Sequence, residues 1–163
     1  MTHTLFIQDR MLSSWSLRGH LIMEIAGLPY AARLVPGGGP DFAATMLEQA
    51  PPSRTAPTLT GPDGLVVWDS LALAETAADL APDAPIWPAD PVARGWARSL
   101  AAEMHSGFGA LRGACPMNLS LRYDGFAPDA AVKADVARML HLWRESRARF
   151  GAGGPWLMGA DFG

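Results

Sequence analysis

The spacing of apolar positions separates a first half of mixed strand and helix character from a second half that is purely helical. In the first half, apolar runs bounded by turn residues alternate with segments of helical period. The pattern predicts strands at residues 5–8, 31–35, 57–60 and 65–68, and helices at residues 15–26, 42–49 and 71–80. A strand–helix–strand unit implies a parallel pair with a right-handed crossover, and the later hairpin adds antiparallel strands. The sequence therefore predicts a mixed four-stranded sheet in the order βαβαββα.

The second half begins after a proline-rich break at residues 82–89. Apolar residues then recur every three or four positions, which predicts one long helix from Pro91 to about Arg112 and another over residues 132–150. We therefore expect an α/β domain over residues 1–81, a linker, and an all-helical domain over residues 90–163.

The stretch of residues 55–75 carries the first candidate chemistry. Pro57 heads a predicted strand, where it cannot donate a backbone hydrogen bond to a neighbouring strand. A cis Ala56–Pro57 bond would leave the backbone groups of Ala56 able to pair with an extended ligand. A structural edge proline is the alternative interpretation.

Asp69 and Ser70 stand where the cap of the third helix belongs. A carboxylate at this place could hold an ammonium group, while the hydroxyl and the first backbone N–H groups could hold a carboxylate. Together these groups suit the zwitterionic end of an amino acid or of a γ-glutamyl group. An ordinary helix cap is again the structural alternative.

Composition narrows the function classes. The chain has 163 residues, of which 49% are hydrophobic and 18% charged, with a formal net charge of −3. An acidic balance argues against nucleic acid or an anionic membrane as the main partner. Neither a membrane-spanning apolar run nor a signal peptide is visible. The single cysteine, Cys115, excludes both an internal disulfide and dithiol chemistry, so a reducing cytoplasm is expected. The histidines show no metal-ligand spacing, and we expect no metal.

The motifs in their order resemble the cytosolic glutathione transferase family over the whole chain. The resemblance is carried by four segments, which are Ser13-Ser14-Trp15-Ser16-Leu17-Arg18, Ala56-Pro57, Asp69-Ser70 and Trp87-Pro88-Ala89-Asp90-Pro91. It is nearest to the zeta-like branch or to a bacterial branch of unassigned substrate. Two features depart from the family. The zeta branch has Cys where this chain has Trp15, and the chain stops where the family's next helix would begin, so an incomplete helical domain is expected.

The resemblance implies a thioredoxin-like first domain that binds glutathione through Ala56, Pro57, Asp69, Ser70 and Arg54. It also implies that a serine of the first loop contacts the glutathione sulfur. Ser13 aligns best with that role, Ser14 and Ser16 are the rivals, and a purely helix-capping role is the alternative. A free thiol has a pKa of about 8.5. A hydroxyl donor at a helix N-terminus would therefore favour the reactive thiolate.

The leading hypothesis is a cytoplasmic bacterial homodimer of detoxifying type that conjugates glutathione to small apolar electrophiles. One rival is a catalytically silent module of the same fold used for binding or assembly. Another is a glutathione-dependent isomerase or peroxidase at the same site. We also expect Arg18 to pair with a nearby carboxylate. The two long helices are expected to leave apolar surface exposed, since their apolar stripes need more than each other to cover them.

Overall fold

The computed structural model describes residues 2–37 and 39–162. The chain divides into two compact units, Met1–Ile86 and Trp87–Gly163. The division between them falls within residues 82–89, the stretch predicted to be a linker. Met1, Gly38 and Gly163 lie outside the described residues.

The first unit contains the predicted mixed four-stranded sheet. Its strands are β1 His3–Ile7, β2 Tyr30–Leu34, β3 Thr58–Thr60 and β4 Val66–Trp68. The strand order is β2-β1-β3-β4. β1 runs parallel to β2, with Leu5 opposite Ala32, and antiparallel to β3, with Leu5 opposite Leu59. The parallel pair with its helical crossover and the antiparallel hairpin are thus both confirmed.

Three helices cover this sheet, and they begin slightly earlier than the apolar period predicts. They are α1 Ser14–Ala26, α2 Gly39–Gln49 and α3 Ser70–Leu80. Alternate residues of β1 face opposite sides of the sheet, which divides the core into two clusters. One contains Leu5, Ile7, Met23, Leu59 and Leu73, and the other contains Phe6, Val35, Phe42, Met46 and Ala50.

The second unit is helical, but the prediction of one helix running to Arg112 is wrong. The structure has α4 Pro91–Ser106, α5 Gly109–Ala114 and α6 Ala130–Phe150. The chain leaves α4 at Gly107, where a Cβ atom would lie 2.7 Å from the carbonyl oxygen of Glu103. Phe108 then adopts a left-handed backbone with φ of 58°. Because Phe108 is still buried after this break, the apolar spacing continues across it and conceals it.

Polar contacts join the helices of the second unit. The indole of Trp96 donates to the buried Ser146 hydroxyl at 2.8 Å, which ties α4 to α6. The carboxylate of Asp135 on α6 accepts the backbone N–H of Leu111 on α5 at 3.0 Å. One side of α6 carries a row of apolar side chains that are exposed to solvent, formed by Val136, Leu140 and Trp143. Within the described ranges, no helix is both long enough and apolar enough to cross a bilayer.

Candidate functional site

The loop ahead of α1 and the first turn of that helix, residues 9–16 and here termed the serine loop, are held by hydrogen bonds to Asp9. The Asp9 carboxylate accepts the N–H groups of Met11 at 2.5 Å and Leu12 at 2.9 Å. The Asp9 carbonyl accepts the N–H of Ser13 at 3.1 Å. Asp9 therefore closes the turn that places Ser13 at the N-terminus of α1.

The serines of this loop have different environments. Ser13 is the N-cap of α1 and accepts the N–H of Ser16 at 3.2 Å. That bond uses an oxygen lone pair, so the hydroxyl proton can still be donated. Ser14 is the first helical residue and is half-buried. Ser16 is fully buried, and its hydroxyl accepts the N–H of Gln8 at 3.0 Å. Ser16 thus anchors α1 to the end of β1 and is withdrawn from solvent.

The Ala56–Pro57 peptide is cis, and α1 packs directly against its proline. A Cβ atom at Gly19 would lie 2.4 Å from Pro57 Cβ and 2.9 Å from Pro57 Cγ. Only a glycine permits this approach. Gly19 lies about 7.5 Å along the helix from Ser14, because each helical residue rises about 1.5 Å. The serine loop and the Ala56–Pro57 segment are therefore held at a fixed spacing by one helix.

A cluster of hydroxyl groups shapes the segment that leads into Pro57. The Ser53 and Thr58 hydroxyl oxygens lie 2.6 Å apart, and both side chains are buried. Thr58 donates to the carbonyl of Thr55 at 2.7 Å, and Ser53 accepts the N–H of Thr55 at 3.3 Å. These bonds hold the turn on either side of Thr55 and so position Ala56, which is half-buried.

Asp69 and Ser70 form the junction between β4 and α3. Asp69 is the N-cap of α3, and its carboxylate accepts the N–H of Leu71 at 2.8 Å. Its φ of 79° with ψ of 135° lies outside the left-handed helical region, in which non-glycine residues with positive φ are usually found. Ser70 is the first helical residue and is buried. The pair thus places a carboxylate beside the first backbone N–H groups of a helix, as the sequence predicted.

Two other predicted residues have less specific surroundings. Arg54 is exposed. The Arg18 guanidinium lies 4.3 Å from the centre of the Trp15 ring, an aromatic contact that the sequence reasoning did not foresee. Among residues 2–37 and 39–162, no group of three or more His, Cys, Asp or Glu side chains could hold a metal ion.

Three residues that shape the site escaped the sequence reasoning. Gly19 carried a readable signal, because a glycine inside an otherwise apolar helix usually marks a close packing contact. Ser53 and Thr58 carried none, since short polar residues in a proline-rich turn are ordinary. Their contribution depends on burial that only the folded chain reveals.

Comparison with known proteins agrees with this geometry. Residues 12–80 match the family model described as glutathione S-transferase, N-terminal domain. No curated protein sequence matches the chain.

Among solved structures, a glutathione transferase homolog from Burkholderia with bound glutathione is 22% identical, with a TM-score of 0.67, over 96% of this chain and 73% of that one. The tau class glutathione S-transferase from mango, Mangifera indica, is 20% identical, with a TM-score of 0.72, over 99% of this chain and 70% of that one. The theta class glutathione S-transferase from Xanthomonas axonopodis pv. citri, also with glutathione bound, is 23% identical, with a TM-score of 0.63, over 99% of this chain and 75% of that one. Residues 12–80 therefore match the N-terminal domain model of the glutathione S-transferase family, and the chain has the fold of these solved structures over almost its whole length.

Proposed function

We propose that the protein binds glutathione at the first unit and transfers its sulfur to small apolar electrophiles. The observation that carries the proposal is the Asp69–Ser70 junction, where a carboxylate lies at the N-terminus of α3. The γ-glutamyl end of glutathione has one ammonium and one carboxylate on the same carbon. Asp69 would hold the ammonium, and the N–H groups at the start of α3, with the Ser70 hydroxyl, would hold the carboxylate.

The rest of the tripeptide would extend along Ala56 and Pro57. Main-chain hydrogen bonds to Ala56 would hold the cysteinyl residue of glutathione, in the way that an extended peptide binds to a sheet edge as an added strand. Arg54 is exposed and close in sequence to this segment, so it is a candidate for the glycyl carboxylate. The bound glutathione in the Burkholderia and Xanthomonas structures supports the same ligand for this fold.

Ser13 is the residue we assign to the sulfur, and Ser14 remains its rival. Ser13 accepts one hydrogen bond and keeps a proton to donate. A donated hydrogen bond, together with the partial positive charge at the start of α1, stabilises the thiolate over the thiol. Each pKa unit of depression corresponds to about 1.4 kcal/mol of preferential stabilisation.

The reaction requires no covalent bond to the protein. The glutathione thiol first loses its proton to solvent. The thiolate then forms a carbon–sulfur bond, and the leaving group, such as a halide on an aromatic ring, departs with the electron pair. The protein contributes position and electrostatic stabilisation of the sulfur anion. We also propose that the protein acts in the cytoplasm, because a lone exposed thiol such as Cys115 suits a reducing compartment. We propose that it forms a homodimer, as the family resemblance implies.

Thermal unfolding with added glutathione tests the binding step. A ligand that binds only the folded protein stabilises it by RT ln(1 + [L]/Kd), about 2.7 kcal/mol at a hundredfold excess over Kd. The isomeric tripeptide with an ordinary α-glutamyl linkage is the matched control, because it has the same atoms and charge. A rise in melting temperature with glutathione alone supports the proposal. No rise, or an equal rise with both peptides, would refute it.

A catalytically silent binding or assembly module is the second candidate. The exposed Val136, Leu140 and Trp143 on α6 favour it, because an apolar row of this kind often marks a partner surface. Glutathione-dependent isomerase or peroxidase chemistry would use the same thiolate. Binding of glutathione without turnover of aryl halides, peroxides or isomerisable substrates would select the silent module.

A further inference from the structure

Four polar side chains, one of them in the serine loop and three outside it, form a hydrogen-bonded chain that the proposed transfer reaction does not use. Arg10 Nη1 lies 3.4 Å from His20 Nε2, and His20 Nδ1 lies 2.5 Å from the Tyr30 hydroxyl. The Tyr30 hydroxyl donates to Glu24 Oε1 at 2.8 Å. His20 Nδ1 also lies 3.8 Å from that same carboxylate oxygen.

The chemistry of the two end groups sets the direction of every bond in this chain. A guanidinium can only donate, so His20 Nε2 must accept from Arg10 and carry no proton. His20 Nδ1 then bears the ring proton and donates to Tyr30, whose own proton goes to Glu24. Burial, and then the hydrogen bond to Glu24, raise the pKa of Tyr30 to about 12, which keeps the phenol protonated. All three bonds are therefore satisfied only when His20 is neutral.

This chain connects three separate pieces of backbone. Arg10 lies in the serine loop, His20 and Glu24 lie on α1, and Tyr30 lies at the start of β2. Arg10 directly follows Asp9, whose carbonyl holds the N–H of Ser13. The contact with His20 thus ties the exposed side of the turn to the helix it precedes.

We propose that His20 positions the serine loop through Arg10. We propose further that a second proton on His20 releases Arg10, so that the turn, still closed by its Asp9 bonds, can shift as a unit and carry Ser13 with it. A proton on Nε2 turns the acceptor into a donor and places two like charges 3.4 Å apart. Arg10, Glu24 and Tyr30 are the charged and titratable groups that face His20. Glu24 and Tyr30 can stay in contact with the charged ring, because its Nδ1 still donates a hydrogen bond. Arg10 is the group that must leave.

The structural part of this proposal needs no ligand, while its effect on turnover rests on the proposed function. The test scans pH 5 to 8, the range in which histidine side chains in general change charge. Loss of the tether would move the Ser13 hydroxyl relative to the sulfur. A misplacement of about 1 Å can cost on the order of a hundredfold in rate. We expect a smaller loss, on the order of tenfold, because the Asp9 bonds still hold the turn.

Ligand-free NMR of the full chain between pH 8 and 5 tests the structural part. We expect the amide signals of Met11, Leu12 and Ser13 to shift with the same midpoint as the His20 ring. In Arg10→Gln, the ring should still titrate while the shift of these amides is lost. His141→Asn, which removes an exposed histidine from α6, should leave the shared midpoint unchanged. Amides that stay constant through the His20 titration, or that shift equally in Arg10→Gln, would overturn the proposal.

Two substitutions at His20 separate its two bonds. His20→Asn keeps a donor near the Nδ1 position but offers Arg10 no acceptor, whereas His20→Gln keeps an acceptor near the Nε2 position. We expect His20→Asn at pH 7.5 to lower kcat on the order of tenfold with an unchanged KM for glutathione, and His20→Gln to retain kcat without the acid decline. Equal losses in both variants would contradict positioning through Arg10. If the amides follow His20 but no glutathione-dependent turnover exists, the positioning stands and the proposed function fails.

Discussion

Gly19 of α1 lies so close to Pro57 that a Cβ atom at position 19 would come within 2.4 Å of Pro57 Cβ. Real Cβ atoms do not approach one another to this distance, so the helix can reach the proline only where it lacks a side chain. The contact fixes how far the serine loop lies from the Ala56–Pro57 segment. A glycine that generally weakens a helix is retained here because the packing depends on it.

Replacing Gly19 by Ala should therefore destabilise the protein although alanine is the better helix former. Overpacking of a core typically costs about 1–3 kcal/mol, against a gain in helix propensity of up to about 1 kcal/mol. Gly95→Ala in α4 is the matched control, because a Cβ atom there meets nothing within 4 Å. Urea denaturation should give a lower midpoint for Gly19→Ala and an equal or higher one for Gly95→Ala. A stabilised Gly19→Ala would show that the helix moves away from Pro57 without cost.

The sequence was sufficient for the sheet and for both helix caps of the candidate site, because these depend on local chemistry. Apolar runs bounded by turn residues predicted the parallel pair of β1 with β2 and the hairpin of β3 with β4, and Asp69 caps α3 through its own carboxylate. Such features need only a few neighbouring residues. The same reasoning separates Ser13 from the other serines only in part, since all of them stand near the start of one helix.

What the sequence could not supply depends on contacts between distant residues. Ser16 is withdrawn from solvent because its hydroxyl accepts the Gln8 N–H, a bond that appears only when β1 and α1 are packed. The break at Phe108 is hidden for a different reason. Phe108 is apolar, and it would be buried in one continuous helix just as it is buried at the break between α4 and α5. Its left-handed backbone therefore leaves the apolar periodicity of the sequence unchanged.

Asp69→Asn should weaken glutathione binding while keeping the fold. Asparagine caps helices as well as aspartate and has nearly the same size and shape, so the bond to the Leu71 N–H can persist. The lost charge should cost about 1.5–3 kcal/mol of binding free energy, the range for hydrogen bonds to charged groups. Titration calorimetry measures this. Asp63→Asn, at an exposed residue with φ of 57°, is the control and should bind normally.

Asp69→Ala should lose more than binding. It removes the cap, which costs about 0.5–2 kcal/mol of stability, and it places alanine at a strained φ of 79°. A dissociation constant for Asp69→Asn equal to that of the wild type would refute the assignment of Asp69 to the ammonium group.

Substitutions in the serine loop should separate catalysis from capping. Ser13→Ala removes the donor to sulfur, so turnover with an aryl halide should fall while glutathione affinity barely changes. Ser13→Asp should retain the cap yet lose turnover as well, because a carboxylate cannot donate and repels the thiolate. Rates per folded molecule, with stability measured in parallel, distinguish the two effects.

The other serines provide the contrast. Ser16→Ala leaves the Gln8 N–H without its acceptor and should cost about 1–3 kcal/mol of stability with normal turnover per folded molecule. Ser14→Ala should change neither quantity greatly. If Ser14→Ala abolishes turnover and Ser13→Ala does not, the assignment of the sulfur contact to Ser13 is wrong.

Tyr30 should make folding stability fall at alkaline pH. Burial and the hydrogen bond to Glu24 raise its pKa to about 12, from an ordinary value of about 10. Below pH 10 the phenol is protonated in both states and its contribution is fully present. Above pH 10 the unfolded chain loses this proton first, so the contribution declines until about pH 12. Ultraviolet titration in a Tyr123→Phe background leaves Tyr30 as the one phenol of the chain. Glu24→Gln should lower its midpoint, and an unmoved midpoint would remove Glu24 as a cause.

The apolar row on α6 should cause self-association. Val136, Leu140 and Trp143 are 37%, 40% and 47% exposed and share one side of the helix, since they are spaced four and three residues apart. Burying such a row in an interface contributes a favourable free energy of about 25 cal/mol per Å² of apolar surface removed from water. We therefore expect the chain to form dimers or larger species at high concentration and to bind a hydrophobic dye.

Leu140→Glu should shift this association toward the monomer with little loss of stability, because the side chain is already exposed. Ala134→Glu adds the same charge to α6 on the side away from the row and should leave association unchanged. Sedimentation at several protein concentrations measures both variants against the wild type. A wild-type chain that stays monomeric at high concentration, melts cooperatively and binds no dye would show that the row needs no partner. An association that persists in Leu140→Glu would place the interface elsewhere on the molecule.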